Sequence, residues 1–186
     1  MTTATAAHAT LPAAPAQAAA GTEKKGWGYT VLGVTRLMIG FTFLWAFLDK
    51  MFGLGFSTPA EGAWVNGGST TSGFLGGSIA NGNPFAGVWE FFLSINPITD
   101  VLFMVGLLGV GAALMLGIGT RVAATSAAAM YTLMYLAAFP IASNPLYDTH
   151  LLLAVAVIAM AGLAAGDHVG LGARWHRLVK GNRFLI

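Results

Sequence analysis

Four long apolar segments, separated by polar or glycine-rich stretches, dominate the pattern of the chain. They cover approximately residues 28–52, 98–118, 121–139 and 149–165. A helix of about 20 apolar residues crosses the hydrocarbon of a bilayer, and each segment approaches or exceeds that length. The pattern therefore predicts four transmembrane helices.

The stretch between the first two segments, residues 53–97, is long and rich in glycine, serine, threonine and asparagine. Residues 58–61 have the form of a capping box with proline at the first helical position, which predicts a short helix that carries Trp64. Residues 83–84 (Asn-Pro) predict a second helix start. The apolar residues of that helix recur at helical spacing and are Phe85, Val88, Trp89, Phe92 and Leu93. We expect it to lie flat in the membrane interface, with Trp89 at headgroup depth.

Small residues and short turns predict how the four helices pack. Gly109, Ala113 and Gly117 repeat every fourth residue of the second segment, a spacing that lets helix backbones approach closely in lipid. The second and third segments are joined by a turn at residues 119–120, so they must run antiparallel. The predicted fold is an all-α membrane protein, an up-down four-helix bundle over residues 27–166 with short amphipathic helices in its long loop.

The two ends of the chain differ from the predicted bundle. Residues 1–26 are mostly alanine, threonine and proline without an amphipathic pattern, which indicates a disordered tail. Residues 167–186 place Arg174, Arg177 and Lys180 beside a small apolar stripe. Such an amphipathic basic segment is typical of a helix on an anionic membrane surface.

Composition supports the membrane assignment. The chain of 186 residues is 56% hydrophobic and 9% charged, with a mean hydropathy of +0.71. Soluble domains carry about 25% charged residues, so this chain lacks the polar surface to cover a water-soluble core. It contains no cysteine, which excludes disulfides and thiolate metal sites within it. No Rossmann or P-loop glycine motif is present.

The basic residues orient the predicted bundle. Lys24 and Lys25 precede the first segment, Arg121 follows the second, and the remaining basic residues after it lie near the carboxyl end. Residues 53–97 and 140–147 contain no lysine or arginine. By the positive-inside rule, both termini are cytoplasmic and these two loops lie outside.

In this topology several polar residues meet at the outer membrane boundary. Asp49 and Lys50 end the first segment, Asp148 and His150 open the fourth, and the long loop adds Trp64. His150 suits a proton carrier, because histidine is the side chain that ordinarily titrates between about pH 5 and 8. Lys50 could hold an anion or the carbonyl of a lipid-soluble ring.

Each of these residues also has a structural interpretation. Asp148 could be only the N-cap of its helix, Lys50 could extend to the headgroups, and His150 could be a hydrogen-bonded structural residue. Asp100, in the first turn of the second segment, suits the helix dipole. Asp148 and His150 are two residues apart and should not share a helix face. No metal site is expected.

Arg36 lies about 8 Å inside the first segment, where a charge is costly. It either extends to the cytoplasmic headgroups or has a partner within the bundle or on a bound polar ligand. Arg36 and Lys50 are about 21 Å apart along a helix, so they cannot share one small ligand.

Four motifs, in order, resemble the DoxX/DoxD family of bacterial and archaeal membrane proteins. They are TRLMIGFTFLWAFLDKMFG, WVNGGSTTSGFLGG, GLLGVGAALMLGIGTRVAA and NPLYDTHLLL. The resemblance covers approximately residues 27–172. It implies a four-helix membrane bundle in a bacterial or archaeal cell membrane. For the DoxD members it implies the small subunit of a thiosulfate:quinone oxidoreductase, which forms tetrathionate and passes electrons to quinone. The positions carried over by motif are Arg36, Lys50, Arg121, Asp148 and His150.

The functional hypothesis is an integral membrane subunit of a quinone-linked oxidoreductase, of the thiosulfate:quinone type. Its expected catalytic residues are His150, Asp148 and Lys50, and its expected cofactor-binding residues are Arg36, Asp49 and Trp64. The alternative is a non-catalytic membrane scaffold that anchors soluble redox proteins through the basic end. Besides the bilayer, the expected partners are a second oxidoreductase subunit, a cytosolic redox protein or further copies of the chain. Nucleic acid is not an expected partner.

Overall fold

The computed structural model describes residues 26–142, 144, 146–163, 170–180 and 182. Across these residues the chain contains helices and no strand, so the predicted all-α class is confirmed there. Two short 3₁₀ turns at Ala60–Gly62 and Trp64–Asn66 accompany the α-helices. The α-helices are α1 (Trp27–Phe52), α2 (Ser72–Ala80), α3 (Ala86–Ser94), α4 (Asn96–Leu116), α5 (Thr120–Ala137), α6 (Thr149–Gly162) and α7 (Gly172–Leu178).

Four of these helices, α1, α4, α5 and α6, pack around one core. α1 packs against α4, α4 against α5, α5 against α6, and α6 also contacts α1. Their described bounds agree with the four predicted segments to within three residues. The predicted tail, Lys24, Lys25 and parts of the basic end lie outside the described residues. The core combines side chains from all four helices and includes Ile39, Phe43, Met104, Leu107, Ala127 and Val157.

Two helices, α1 and α4, are both long and apolar enough to cross a membrane. α6 is also apolar but is shorter, with 14 described residues. α5 is less hydrophobic than α1 and α4. α5 and α4 are joined by a tight turn in which Gly117 and Gly119 adopt left-handed backbone conformations, with φ of 73° and 54°. This turn reverses the chain so that α4 and α5 run antiparallel, as predicted.

The backbones of α1 and α4 approach each other at two glycines. A Cβ atom on Gly111 would lie 2.8 Å from the Leu44 backbone nitrogen, and one on Gly40 would lie 3.0 Å from the Met115 nitrogen. The predicted row at Gly109, Ala113 and Gly117 is not the close contact. A Cβ on Gly109 would meet no atom within 4 Å, and Gly117 caps the helix instead. Small residues do bring α4 close to a neighbouring helix, as predicted, but the contact is made by Gly111, on a different face of α4 from Gly109.

Arg36 is buried inside the bundle, with 1% of its surface exposed. Its Nη1 donates a hydrogen bond of 2.6 Å to the Leu114 carbonyl, near the C-terminal end of α4. A cation at this end of a helix also interacts favourably with the helix dipole. Of the two interpretations of Arg36, the structure supports the partner within the bundle and not the extension to the headgroups.

The long loop differs from its prediction in three places. The predicted capping box at residues 58–61 does not form: a 3₁₀ turn spans Ala60–Gly62 and has no side-chain cap. α3 begins at Ala86 and not at residue 84, although Asn83 Oδ1 accepts from the Phe85 N–H at 2.7 Å. The Asn83 Nδ2 also ties this turn to α5, donating to the Leu136 carbonyl at 2.8 Å. Trp89 is 2% exposed and packs against Leu75, so it is not an exposed interfacial side chain, and its depth in a membrane stays a prediction. The helices of the loop fold onto the bundle and bury their apolar faces against it.

The close approach at Gly111 gives a test of the α1–α4 packing. We expect Gly111→Ala to lower the free energy of unfolding by about 1–3 kcal/mol, because the new methyl group would overlap the Leu44 backbone. Gly109→Ala, on the same helix but facing open space, should change it by no more than about 1 kcal/mol. Thermal or SDS unfolding in detergent micelles measures both. Equal effects of the two substitutions would contradict the packing described here.

Candidate functional site

A cavity of about 410 Å³ lies between the bundle and the helices of the long loop. Binding pockets for small molecules typically measure about 300–1,000 Å³, so the volume suits a ring-sized ligand. Helices α1 to α6 each contribute to its lining, and most of the lining is apolar. The apolar lining includes Leu75, Trp89, Phe92, Phe103, Met130 and Met134, and the polar lining is Lys50, Thr70, Thr71, Thr99 and His150.

Lys50 and His150 both line this cavity. Lys50 lies near the C-terminal end of α1, and His150 lies in the first turn of α6. The sequence predicted that these two ends meet on one side of the bundle, and the structure places them there. Their chemical roles stay predictions.

Lys50 is half-buried, and its ammonium makes no hydrogen bond or ion pair with any described residue. Two carboxylates, Asp49 and Asp100, are close enough to interact with it electrostatically. A cation among apolar walls is unfavourable unless a polar group or ligand contacts it. Lys50 is therefore the side chain at the cavity that is most available to a bound molecule.

Asp49 is adjacent to Lys50 in the chain but is used differently. Its carboxylate is buried and accepts hydrogen bonds from the backbone N–H groups of Phe56 and Ser57, at 3.1 and 3.0 Å. The Ser57 hydroxyl donates a third, at 2.6 Å. These bonds fix the start of the long loop on the end of α1. Asp49 does not line the cavity, and its described contacts are structural.

Asp100 holds the next part of the loop. Its Oδ1 accepts hydrogen bonds from the hydroxyls of Ser69, Thr70 and Thr71, at 3.1, 3.1 and 2.6 Å. The Thr71 N–H donates a fourth, at 2.9 Å. The prediction for Asp100 was a favourable position in the helix dipole, and the structure adds a direct structural contact. Asp100 thereby places two hydroxyl-bearing residues, Thr70 and Thr71, in the wall of the cavity.

Asp148 and His150 are hydrogen-bonded to each other, with 2.5 Å between Asp148 Oδ2 and His150 Nδ1. The expectation that they cannot share a face is wrong. Asp148 precedes α6 in an extended conformation (φ −111°, ψ −175°), so helical spacing does not apply to it. Its Oδ1 also accepts from the Leu151 N–H at 3.1 Å, which confirms the N-cap interpretation.

The environment of Asp148 keeps its carboxylate ionised. Burial acts to raise the pKa of Asp148, but the hydrogen bonds from His150 and from the Leu151 N–H outweigh burial and hold the pKa below its usual value. The His150 side chain is about one-third exposed (34%) while it also lines the cavity. The pair therefore connects the cavity to the surface of the protein.

The other sequence-predicted residues lie away from the cavity. Arg36 binds the end of α4, Trp64 packs against the hydrophobic core from its 3₁₀ turn, and Arg121 is exposed at the start of α5. The cavity thus brings together Lys50 and His150, with Asp148 behind the histidine. Sequence reasoning missed Thr70 and Thr71, for which the run of hydroxyl residues at positions 69–72 was the available signal.

Comparison of the chain with protein-family models, with curated proteins and with solved structures finds no match. The resemblance to the DoxX/DoxD family therefore stays a prediction from the four motifs. The cavity and the residues that surround it are therefore the basis for inferring the function.

The contacts of Asp100 give a test of how the cavity wall is held. We expect Asp100→Ala to lower the free energy of unfolding by about 3 kcal/mol, since it leaves buried hydroxyl and N–H donors without an acceptor. Hydrogen exchange at the Thr71 amide should accelerate at the same time. Glu90→Ala, which removes an exposed carboxylate from α3, should leave both within error. An Asp100→Ala protein as stable and protected as Glu90→Ala would show that these hydrogen bonds do not hold the loop.

Proposed function

We propose that the chain crosses the membrane four times, through α1, α4, α5 and α6, with both termini in the cytoplasm. The surface of the bundle supports this. Two helices carry exposed apolar rows at helical spacing, Val101, Val105 and Leu108 on α4 and Leu152, Val155 and Ile158 on α6. Soluble monomers rarely expose apolar patches of this extent, whereas lipid covers them. The row on α6 supports a span despite the shorter described length of that helix.

Threonine hydroxyls on the helix surfaces support the same conclusion. Thr35, Thr42, Thr125 and Thr132 each donate a hydrogen bond to the carbonyl four residues earlier, at 2.7–3.0 Å. Thr125 and Thr132 lie on α5, the least apolar of the four helices. In hydrocarbon no water can satisfy a hydroxyl, so it must bond within its own helix. The polar residues on the surface of α5 are thereby compatible with lipid.

We further propose that the cavity binds a quinone, and that the protein is the membrane subunit of a quinone-linked oxidoreductase. The observation that supports this most directly is the cavity itself, with apolar walls and, at its polar side, a lysine ammonium that makes no hydrogen bond to a described residue. A quinone is an apolar ring that bears carbonyl acceptors. Lys50 would donate to a carbonyl oxygen, and Thr70 and Thr71 offer hydroxyls nearby. When bound, a quinone supplies an acceptor for two electrons and two protons.

His150 and Asp148 would supply the protons. Asp148 accepts from His150 Nδ1, which orients the ring. His150 lines the cavity and is also partly exposed, so it can take a proton at the surface and donate it inside. Lys50 would stabilise negative charge that develops on the quinone oxygen.

The electron donor that the resemblance implies is thiosulfate. Two thiosulfate ions lose one electron each and join through a new sulfur–sulfur bond as tetrathionate, which balances one two-electron reduction of quinone. In the proposed topology the cavity lies near the outer surface, within reach of a water-soluble anion. A partner subunit that donates two electrons to each quinone would satisfy the same electron balance.

Quinone binding can be tested on the purified protein with a tailless dimethoxy-methyl-benzoquinone. We expect quenching of the Trp89 fluorescence on binding, because Trp89 lines the cavity. Lys50→Met should weaken binding by about 10- to 100-fold, the loss expected for one hydrogen bond from a charged group. Lys180→Met, which removes an exposed lysine of the basic end, is the control.

The same titration with Trp89→Phe identifies the part of the signal that comes from the cavity. A wild-type protein that gives no saturable binding would exclude the quinone proposal. Equal affinities of the Lys50→Met and Lys180→Met proteins would exclude Lys50 from the site.

The topology can be tested by cysteine labelling, since the natural chain has no cysteine. A cysteine at Asn81, exposed between α2 and α3, should react with an impermeant maleimide added to intact cells. One at Ala173, exposed on α7, should react only after the membrane is permeabilised. One at Leu108, on the proposed lipid-facing surface, should react poorly in both. Labelling of the Ala173 cysteine in intact cells would contradict the proposed orientation.

A further inference from the structure

The cavity opens on its apolar side. Three of its lining residues are exposed, Phe74 by 49%, Leu102 by 64% and Leu133 by 43%, and all three are apolar. No polar lining residue is as exposed as these: Thr70 and Thr71 are buried, and Lys50 and His150 are partly buried. A ligand therefore meets hydrocarbon side chains first and the hydroxyl and ammonium groups afterwards.

The opening lies between two helices of the bundle. Leu102 is on the first half of α4, and Leu133 is on the second half of α5. Val101 and Val105, exposed on either side of Leu102 along α4, belong to the apolar row described above. The opening is thus continuous with the surface that we propose contacts lipid.

The gap between α4 and α5 ends one turn below the opening. A Cβ atom on Gly106 would lie 2.8 Å from Met130 Sδ, so the two helices are in close contact there. Met130 also forms part of the cavity wall. The inner ends of α4 and α5 are joined by their tight turn. The gap is therefore limited to the outer halves of the two helices, beneath α2 and α3.

We infer that the ligand of this cavity is an amphiphile with a hydrocarbon chain, which enters sideways from the outer leaflet between α4 and α5. Its ring lies toward Lys50 and His150, and its chain passes out between Leu102 and Leu133. This inference rests on the proposed quinone site and adds to it the entry route, the position of the tail and the residues that select for one. Leu102 and Leu133 act on the tail and not on the ring.

The test compares two ligands on the wild-type protein and two variants in nanodiscs. The ligands are the tailless dimethoxy-methyl-benzoquinone and the same ring with a decyl chain. The portal variant is Leu102→Trp/Leu133→Trp, and the control is Leu108→Trp, an equally lipid-facing position that does not line the cavity. Equilibrium dialysis with chromatographic quantification measures bound quinone. Partitioning of the decyl chain into lipid is the same for every protein and cancels in the comparison.

We expect the portal variant to bind the decyl quinone at least about tenfold more weakly than the Leu108→Trp control. Its affinity for the tailless ring should fall by a smaller factor, because the ring lies toward Lys50 and His150 and the two substitutions act first on the tail. Unchanged binding of both quinones by the portal variant would overturn the inference, and so would an equal loss for both. Thermal unfolding in the same nanodiscs identifies a variant that does not fold, in which case the single Leu102→Trp protein replaces it. Failure of the wild-type protein to bind either quinone would instead refute the quinone site itself.

Discussion

Burial of charge without water is the constraint on which this fold depends. α1 carries a buried cation, Arg36, and a buried carboxylate, Asp49, one toward each end. The contacts of each include backbone groups: Arg36 Nη1 donates to the Leu114 carbonyl, and Asp49 accepts from N–H groups at residues 56 and 57. Backbone groups at helix ends and in loops lack partners within a helix. One helix thereby fixes the C-terminal end of α4 and the start of the long loop.

Near the C-terminal end of α1, the same constraint separates charged side chains that are already hydrogen-bonded from those that a ligand could contact. Asp49 and Asp100 are both occupied by hydrogen bonds from the loop, and Asp148 is occupied by His150 and by the start of α6. Lys50 makes no such hydrogen bond to a described residue, and it is half-buried whereas Asp49 and Asp100 are buried. This difference, more than the presence of charge, marks the cavity as a site.

The positions of the main helices could be predicted from the sequence, because hydropathy over about 20 residues dominates where a chain can cross lipid. Details that depend on neighbours could not. The spacing rule for Asp148 and His150 failed because it assumes a helix, and Asp148 lies just before one. Trp89 resembled an interfacial anchor, but a pattern along one helix does not reveal the second surface that buries it. From the sequence, either Gly109 or Gly111 could be the contact residue. The rotation of α4 about its own axis determines that Gly111 faces α1.

The cavity itself follows from uneven packing among the four helices. Gly40 and Gly111 bring the backbones of α1 and α4 together, and α5 packs extensively on α6. The bundle therefore consists of two close pairs, which contact each other along a seam between α4 and α5 and to a smaller extent between α1 and α6. The tight turn closes that seam at its inner end, and Met130 over Gly106 closes it at mid-height. The other half, toward the first residues of α4 and the last residues of α5, is lined also by α2 and α3. In the proposed topology this cavity would face lipid laterally with Lys50 and His150 near its aqueous edge, which is the arrangement that a reaction between a lipid-soluble ring and water-borne protons requires.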